Sequence, residues 1–376
     1  MKILHIIQPT SGGSERYLFM LLKNMQNQGY EHILVCSYGQ NITSYKDYIS
    51  DYKYMRMNRE ISLVDDTKAI LKFRKIIKSI NPDIIYCHSS KAGAVGRIAN
   101  IGLGYPIVYN AHGWAFNMDC SVLKRNIYRW IEKILSVFTT YIIAISDYEK
   151  NSALKNGICG VSKIQTICNG IDLDACKKQT EKRPITRKEL GIPDDAYVIG
   201  CVGRLSKQKA PDVFVKAASK IKKRIPNAYF LMVGDGEEKL QVSQLVENYG
   251  LSECFCITGW VDNPMAYIVL FDQAVHVARW EGFGLVLAEY MWAEKPIIAT
   301  NVDAIPDLIK DGINGYLVEK DNISNIVEAC LQIHDNEVIT KNFKVEGKKR
   351  VLELFSVERV VCEHMDLFNR IVSEKS

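Results

Sequence analysis

Short apolar runs alternate with longer stretches of helical periodicity along most of the chain, and no other feature of the sequence constrains the fold as strongly. Residues 3–7, 32–37, 84–88, 107–111 and 141–146 read as buried strands, and residues 15–28, 65–79, 93–100 and 122–136 between them as helices. Strands separated by helices of that length cannot pair as hairpins, so they must form a parallel sheet covered by helices on both faces. From residue 177 to 195 the apolar period disappears. The alternation then restarts, with strands at 197–202, 228–233, 254–258, 273–278 and 296–299 and helices at 211–224, 237–249 and 284–293. The pattern predicts an α/β protein of two doubly wound, Rossmann-like domains facing across a cleft. The expected boundaries are residues 1–172, a linker at 173–195, residues 196–355, and a helix over 356–376 that packs back on the first domain. A chain of 376 residues is also the right length for two domains of roughly 100 to 200 residues each. In such folds ligands sit beyond the carboxyl ends of the strands.

Composition removes several other classes. Apolar residues make up 47% of the chain and charged ones 24%, which excludes disorder, collagen and coiled coil as the main theme. No apolar run reaches the roughly 18 residues that a spanning helix needs; the longest candidates are broken by Asn81, Asp147 or Asp272. Met1 to Ile7 passes from a single lysine into a strand without an export-signal pattern, so a cytoplasmic protein is expected. The eleven cysteines are scattered, and the close pair Cys254 and Cys256 lacks metal-site spacing; reduced, buried thiols are expected. Charge is uneven. Residues 1–170 hold 21 basic against 12 acidic side chains and the remainder 27 against 31, which points to an acidic partner for the first half.

Three segments carry candidate chemistry. Gly12-Gly13-Ser14-Glu15 leaves the first strand and opens a helix, offering backbone N–H groups to an anion. Gly203-Arg204 leaves a strand with Lys209 five residues further on, two cations suited to a diphosphate. Glu281-Gly282-Phe283-Gly284 leads into a helix, from Leu285, that is apolar almost all round apart from Glu289. A carboxylate in so apolar a helix needs a compensating partner, and sugar hydroxyls can supply one.

Together with Val233-Gly234-Asp235-Gly236 and Asn169-Gly170-Ile171-Asp172, these motifs resemble the retaining glycosyltransferases of family 4, which have the GT-B fold. The resemblance spans about residues 1 to 320. It implies that Glu289 holds the donor ribose, that Arg204 and Lys209 hold the diphosphate, and that Glu281 meets the transferred sugar near the reaction centre. The amides of Phe283, Gly284 and Leu285, beside Gly282, would complete the phosphate site, with Gly12 and Gly13 also on the donor and with Gly234 and Val261 bordering the base. His112, in Asn110-Ala111-His112-Gly113-Trp114, matches the family histidine that touches donor sugar and acceptor. That segment and Ser89-Ser90-Lys91-Ala92-Gly93 are also similar to bacterial capsule and exopolysaccharide transferases.

The implied activity is transfer of a hexosyl or N-acetylhexosaminyl unit from a nucleotide-sugar, UDP favoured, to a glycan or polyprenyl-diphosphate-linked saccharide. The second domain would bind the donor and the first the acceptor. Neither a cofactor nor a metal is expected; Asp172-Leu173-Asp174 spells a metal-binding Asp-x-Asp but lies at the linker. A GT-B phosphorylase or nucleotide-sugar epimerase is the alternative enzyme, and a basic nucleic-acid-binding protein the alternative of another class. Two departures from the family stand out. Asp303-Ala304-Ile305-Pro306-Asp307 replaces its Gly-Gly and Pro-Glu pattern, and Glu294 stands where a turn glycine is usual. An anionic membrane surface is a further expected partner. Leu123, Ile127, Ile131, Ile134 and Phe138 recur at helical spacing and are expected to face the core. Lys124, Arg125, Arg129 and Lys133 would then face solvent, and could form a basic surface with Lys68, Lys72, Lys75 and Lys78 of the earlier helix if the two helices are neighbours.

Overall fold

In the computed structural model, which describes residues 1–10, 12–58, 60–182 and 184–374, every strand pairing within the two sheets is parallel. The chain divides into two units, Met1–Asn169 with Val357–Ser376, and Gly170–Ser356.

The first unit runs β1 (Lys2–Ile7), α1 (Gly13–Asn24), β2 (Glu31–Cys36), β3 (Asp51–Tyr54), α2 (Leu63–Ile80), β4 (Ile84–His88), α3 (Ser90–Ala99) and β5 (Ile107–Asn110). It continues through α4 (Val122–Ser136), β6 (Tyr141–Ala144), α5 (Asp147–Lys155) and β7 (Ile164–Thr166). The second unit holds α6 (Leu173–Lys182), β8 (Tyr197–Val202), α7 (Pro211–Ile221), β9 (Ala228–Val233), α8 (Lys239–Asn248), β10 (Phe255–Ile257) and α9 (Met265–Ile268). After these come β11 (Gln273–His276), α10 (Leu285–Trp292), β12 (Ile297–Thr300), α11 (Ile305–Leu308), β13 (Tyr316–Val318), α12 (Ile323–Asp335) and α13 (Glu337–Leu354). The last helix, α14 (Val357–Ser373), belongs to the first unit.

The sheet orders are β3-β2-β1-β4-β5-β6-β7 and β10-β9-β8-β11-β12-β13. Each reverses direction once, between β1 and β4 and between β8 and β11, and loops leaving the strands there diverge to open a binding crevice. In the first unit Ile3, Tyr86 and Val108 pack on one face with Tyr17 and Leu21 of α1 and Val360 and Phe368 of α14. Leu4, Ile6, Ile85 and Tyr109 pack on the other with Phe73 and Ile77 of α2 and Val95 of α3. Successive side chains go to opposite faces, and both faces are covered, so the strands read as continuous apolar runs.

Three strands and several helices lie outside the sequence reading. β3 is an edge strand of sequence DYKY whose residues are exposed except half-buried Tyr54, and β7 and β13 are three-residue edge strands, so none shows an apolar run. Residues 173–195, read as a linker, contain α6, which buries Cys176 alone. Among the described residues no cysteine is in a disulfide; Cys362 is exposed, against the expectation of buried thiols, and the others are buried or half-buried. Glu294 follows α10 with φ 55°, a left-handed conformation that costs a side chain on the order of 1 kcal/mol and explains why glycine is usual there.

The orientation of α4 reverses the expectation. Its buried residues are Glu132, Leu135 and Ser136, whereas Leu123, Ile127, Trp130, Ile134 and Val137 are between 43 and 71% exposed. Glu132 sets this rotation. It accepts from fully buried Arg97 at 2.9 Å and from the Tyr109 hydroxyl at 2.7 Å, while the Arg97 guanidinium lies 3.9 Å over the Tyr109 ring. Turning the apolar stripe inward would strip a buried cation of its partner, at about 3 to 5 kcal/mol. The stripe is therefore held outward, with Lys124, Arg125 and Lys133 exposed beside it and Arg129 half-buried.

Candidate active site

In the second unit, the loops after β8 and β11 meet beyond the carboxyl ends of adjacent strands. The carboxylate of Glu281, 8% exposed, is their meeting point. Lys209 forms an ion pair with its Oε2, and His276, the last residue of β11, donates to the same oxygen from Nε2 at 3.1 Å. The backbone N–H of Glu281 donates to Asp303 at 3.0 Å. Burial alone would raise the Glu281 pKa, but the Lys209 charge and the His276 hydrogen bond outweigh it and hold the group at about 2. Glu281 is thus an ionised acceptor at neutral pH. His276 is kept neutral by burial, against the pull of Glu281 and with the push of Lys209.

The backbone around this carboxylate is shaped for close approach. Gly284, at φ 90°, precedes α10, and no side chain caps that helix, so its first N–H groups stay available to a ligand. At Gly234, φ is 145° and a Cβ would lie 2.0 Å from the Gly203 carbonyl oxygen, so only glycine lets the loop after β9 cross the loop after β8. Gly234 also bridges Gly259, which places the segment leading to Val261 beside it. Arg279 braces the loop after β11. Its guanidinium reaches Asp212 at the start of α7 at 3.0 Å and Asp321 at 2.9 Å.

The sequence-derived residues fall into distinct groups. Lys209, Glu281, Gly282 and Gly284 share the loops described, and Leu285 opens α10. Arg204 stands exposed and pairs with Glu237 at 3.2 Å. Glu289 is buried within α10. The Phe283 side chain turns into the core, edge-on to Phe355 at 5.6 Å, so only its backbone can meet a ligand. Asp172 accepts from the Ala175 N–H at 2.7 Å and so caps α6. His276, Asp303 and Arg279 were missed: a histidine inside a strand run and an aspartate in a divergent loop carry no spacing signal. Asp303 shows what that loop does, since its left-handed backbone, φ 47°, supports the carboxylate that holds Glu281.

In the first unit, Gly12 precedes α1 at φ 97° without a side-chain cap, and no heavy atom lies within 4 Å of where a Cβ at Gly12 or Gly13 would stand. Glu15 is tied down by Tyr45 at 2.7 Å and Gln40 at 3.2 Å. His112 follows β5 with φ 53°, half-buried, its ring edge-on to Tyr17 at 4.8 Å and bonded to His88 at 3.1 Å.

Two family models match, Glycosyltransferase Family 4 over residues 11–175 and Glycosyl transferases group 1 over residues 182–350. The chain belongs to glycosyltransferase family 4. An Escherichia coli relative named UDP-Gal:alpha-D-GlcNAc-diphosphoundecaprenol alpha-1,3-galactosyltransferase is 28% identical over all of this chain and 98% of its own length. Staphylococcus aureus CapM, a capsular polysaccharide biosynthesis glycosyltransferase, is 27% identical over 95% of this chain and 93% of its own. The crystal structure of Anabaena Alr3699/HepE with UDP and glucose matches with a TM-score of 0.82 at 19% identity, covering 98% of this chain and 99% of that one. This glycosyltransferase therefore has the GT-B fold.

The first unit of the family 4 enzyme buries an unusual number of imidazoles. Burial, helped by mutual repulsion and by nearby positive charge, depresses His5 and His88 well below 6.5, His32 and His364 to about 4 and His112 to about 3. Below about pH 6.5 the unfolded chain takes up protons that the folded unit refuses, so stability falls as pH falls, by about 1.4 kcal/mol per pH unit for each histidine. Thermal unfolding is expected at sharply lower temperature at pH 5 than at pH 7. A melting temperature constant over that window contradicts the buried, neutral cluster.

Proposed function

We propose that this glycosyltransferase moves a sugar from a UDP-sugar, with retention and without a metal, to a lipid-linked saccharide acceptor during surface polysaccharide synthesis. The observation that carries the reading is the ionised Glu281, held by Lys209 beside the uncapped start of α10. The activity named for the Escherichia coli relative and the ligands of the HepE structure support the donor and acceptor classes.

In this reading the diphosphate lies against the N–H groups at Phe283, Gly284 and Leu285, with Arg204 and Lys209 as its cations. Glu289 accepts from the ribose hydroxyls, and Gly234 and Val261 border the base. Glu281 accepts from hydroxyls of the transferred sugar. The bond from C1 to the phosphate oxygen breaks as the acceptor oxygen bonds to C1 on the same face, and the acceptor's proton passes to the leaving phosphate. Fixed cations and the helix end stabilise the charge that develops on the leaving group. Arg204→Ala and Lys209→Ala are expected to lower turnover at least tenfold, and Glu289→Ala to weaken donor binding, each losing charge-assisted contacts of roughly 1.5 to 3 kcal/mol. Activity is expected to persist in EDTA. Steady-state kinetics on a UDP-sugar panel checks both; normal kinetics in all three variants, or activity lost in EDTA and restored by Mn²⁺, overturns this donor site.

The acceptor side is assigned to an anionic membrane surface. Among the described residues no helix is long and apolar enough to cross a membrane. The outward stripe of α4, with Trp130 at its centre and cations flanking it, suits a helix lying in the interface plane. Each cation near an anionic leaflet adds up to about 1 kcal/mol. Co-sedimentation is expected with anionic but not neutral vesicles, and is expected to be lost when Leu123, Trp130 and Ile134 are changed to Ser. Equal recovery with both vesicle types, or undiminished binding of that variant, rules out the surface.

A further inference from the structure

We infer that His88, His5 and His32 form a fixed string of imidazoles that sets the tautomer of His112, so that His112 presents an Nδ1–H donor. Four of the seven histidines of the chain are linked ring to ring. Nδ1 of His32 meets Nε2 of His5 at 3.0 Å, Nδ1 of His5 meets Nε2 of His88 at 3.2 Å, and Nδ1 of His88 meets Nε2 of His112 at 3.1 Å. The register of the sheet builds the string. Ile3 pairs with His32 and Ile7 with His88, so His32 and His88 lie two residues to either side of His5 on adjacent strands, all on one face.

A neutral imidazole has one N–H and one bare nitrogen, so in such a string the choice at one ring dictates the choice at every other. Only two arrangements satisfy all three links. Either every ring carries its proton on Nδ1 and donates toward His112, or every ring carries it on Nε2 and donates toward His32. The far end decides between them. Nε2 of His32 is buried and has no hydrogen-bond partner. The second arrangement would leave an unpaired N–H there, facing the field of the positively charged amino terminus of Met1, which already acts on this ring. A bare nitrogen lone pair is favoured by that charge, and a stranded donor is disfavoured. The first arrangement therefore holds, and burial of the cluster keeps its rings neutral at pH 7.

Nδ1 of His112 has no partner among the described residues, so its N–H is offered to an acceptor atom of a ligand, a hydroxyl or phosphate oxygen. A ring that arrives with Nδ1 protonated donates there and does not act as a base at that atom, consistent with the leaving phosphate taking the acceptor's proton. His88, His5 and His32 are positioning residues, since they act through His112. The ligand contact rests on the proposed glycosyl transfer, with His112 meeting donor sugar or acceptor as the family resemblance implies; the tautomer does not.

Nitrogen-15 NMR of the full-length, histidine-labelled protein without ligand reads which ring nitrogen of His112 is protonated. The expected result is Nδ1–H in the wild type, shifting toward Nε2–H, the form an unconstrained histidine favours, in His88→Phe and in His5→Phe. Nε2–H in the wild type overturns the inference, as does Nδ1–H retained in both variants. Should a variant fail to fold, the wild-type spectrum decides alone. A UDP-sugar that leaves the His112 Nδ1–H resonance unmoved removes the ligand contact and leaves the tautomer standing.

Discussion

An ionised carboxylate buried at the end of a sheet is unfavourable unless charge and hydrogen bonds surround it, and Glu281 is surrounded from three loops at once. Lys209 arrives after β8, His276 ends β11, and Asp303 reaches the Glu281 backbone from the loop after β12. Removing Lys209 or His276 leaves an under-compensated charge, and removing Asp303 frees the Glu281 backbone, so the loops are held in register by a single residue. The same group sits where the strand order reverses, which is where a parallel sheet opens a crevice. Electrostatics and topology thus converge on one place in the second unit.

The first unit solves a similar problem with a different outcome. Arg97 and Glu132 are both buried and tie α3 to α4 through the Tyr109 ring and hydroxyl. Because that pair decides which side of α4 points inward, a helix of alternating apolar and basic residues turns its apolar stripe to the outside. The charge pair accounts for an arrangement that hydrophobicity alone would reverse, and it is what makes α4 a docking element in the proposed function.

The sequence displays the parallel, doubly wound sheets plainly, because strands covered on both faces leave uninterrupted apolar runs between helical segments. It also displays Glu281, Glu289, Gly284 and Lys209, whose spacing stands out against an apolar background. Edge strands such as DYKY at Asp51–Tyr54 leave no such trace. Hydrophobic periodicity led to the wrong face of α4, since Glu132 in the middle of the helix gives no local hint of a fully buried arginine at position 97, 35 residues earlier. The histidine string was legible only after the fact. His5, His32 and His88 each sit in an apolar strand, yet their contact depends on strand order and register, which a single strand does not reveal.

The most direct test of the central claim, that the second unit is built around Glu281 to receive a nucleotide diphosphate, is a crystal structure of the full chain grown with UDP. The account predicts the diphosphate at the start of α10 within hydrogen-bond reach of Lys209 or Arg204, with the ribose at Glu289. UDP bound away from α10, or a second unit left empty at saturating UDP, would contradict it.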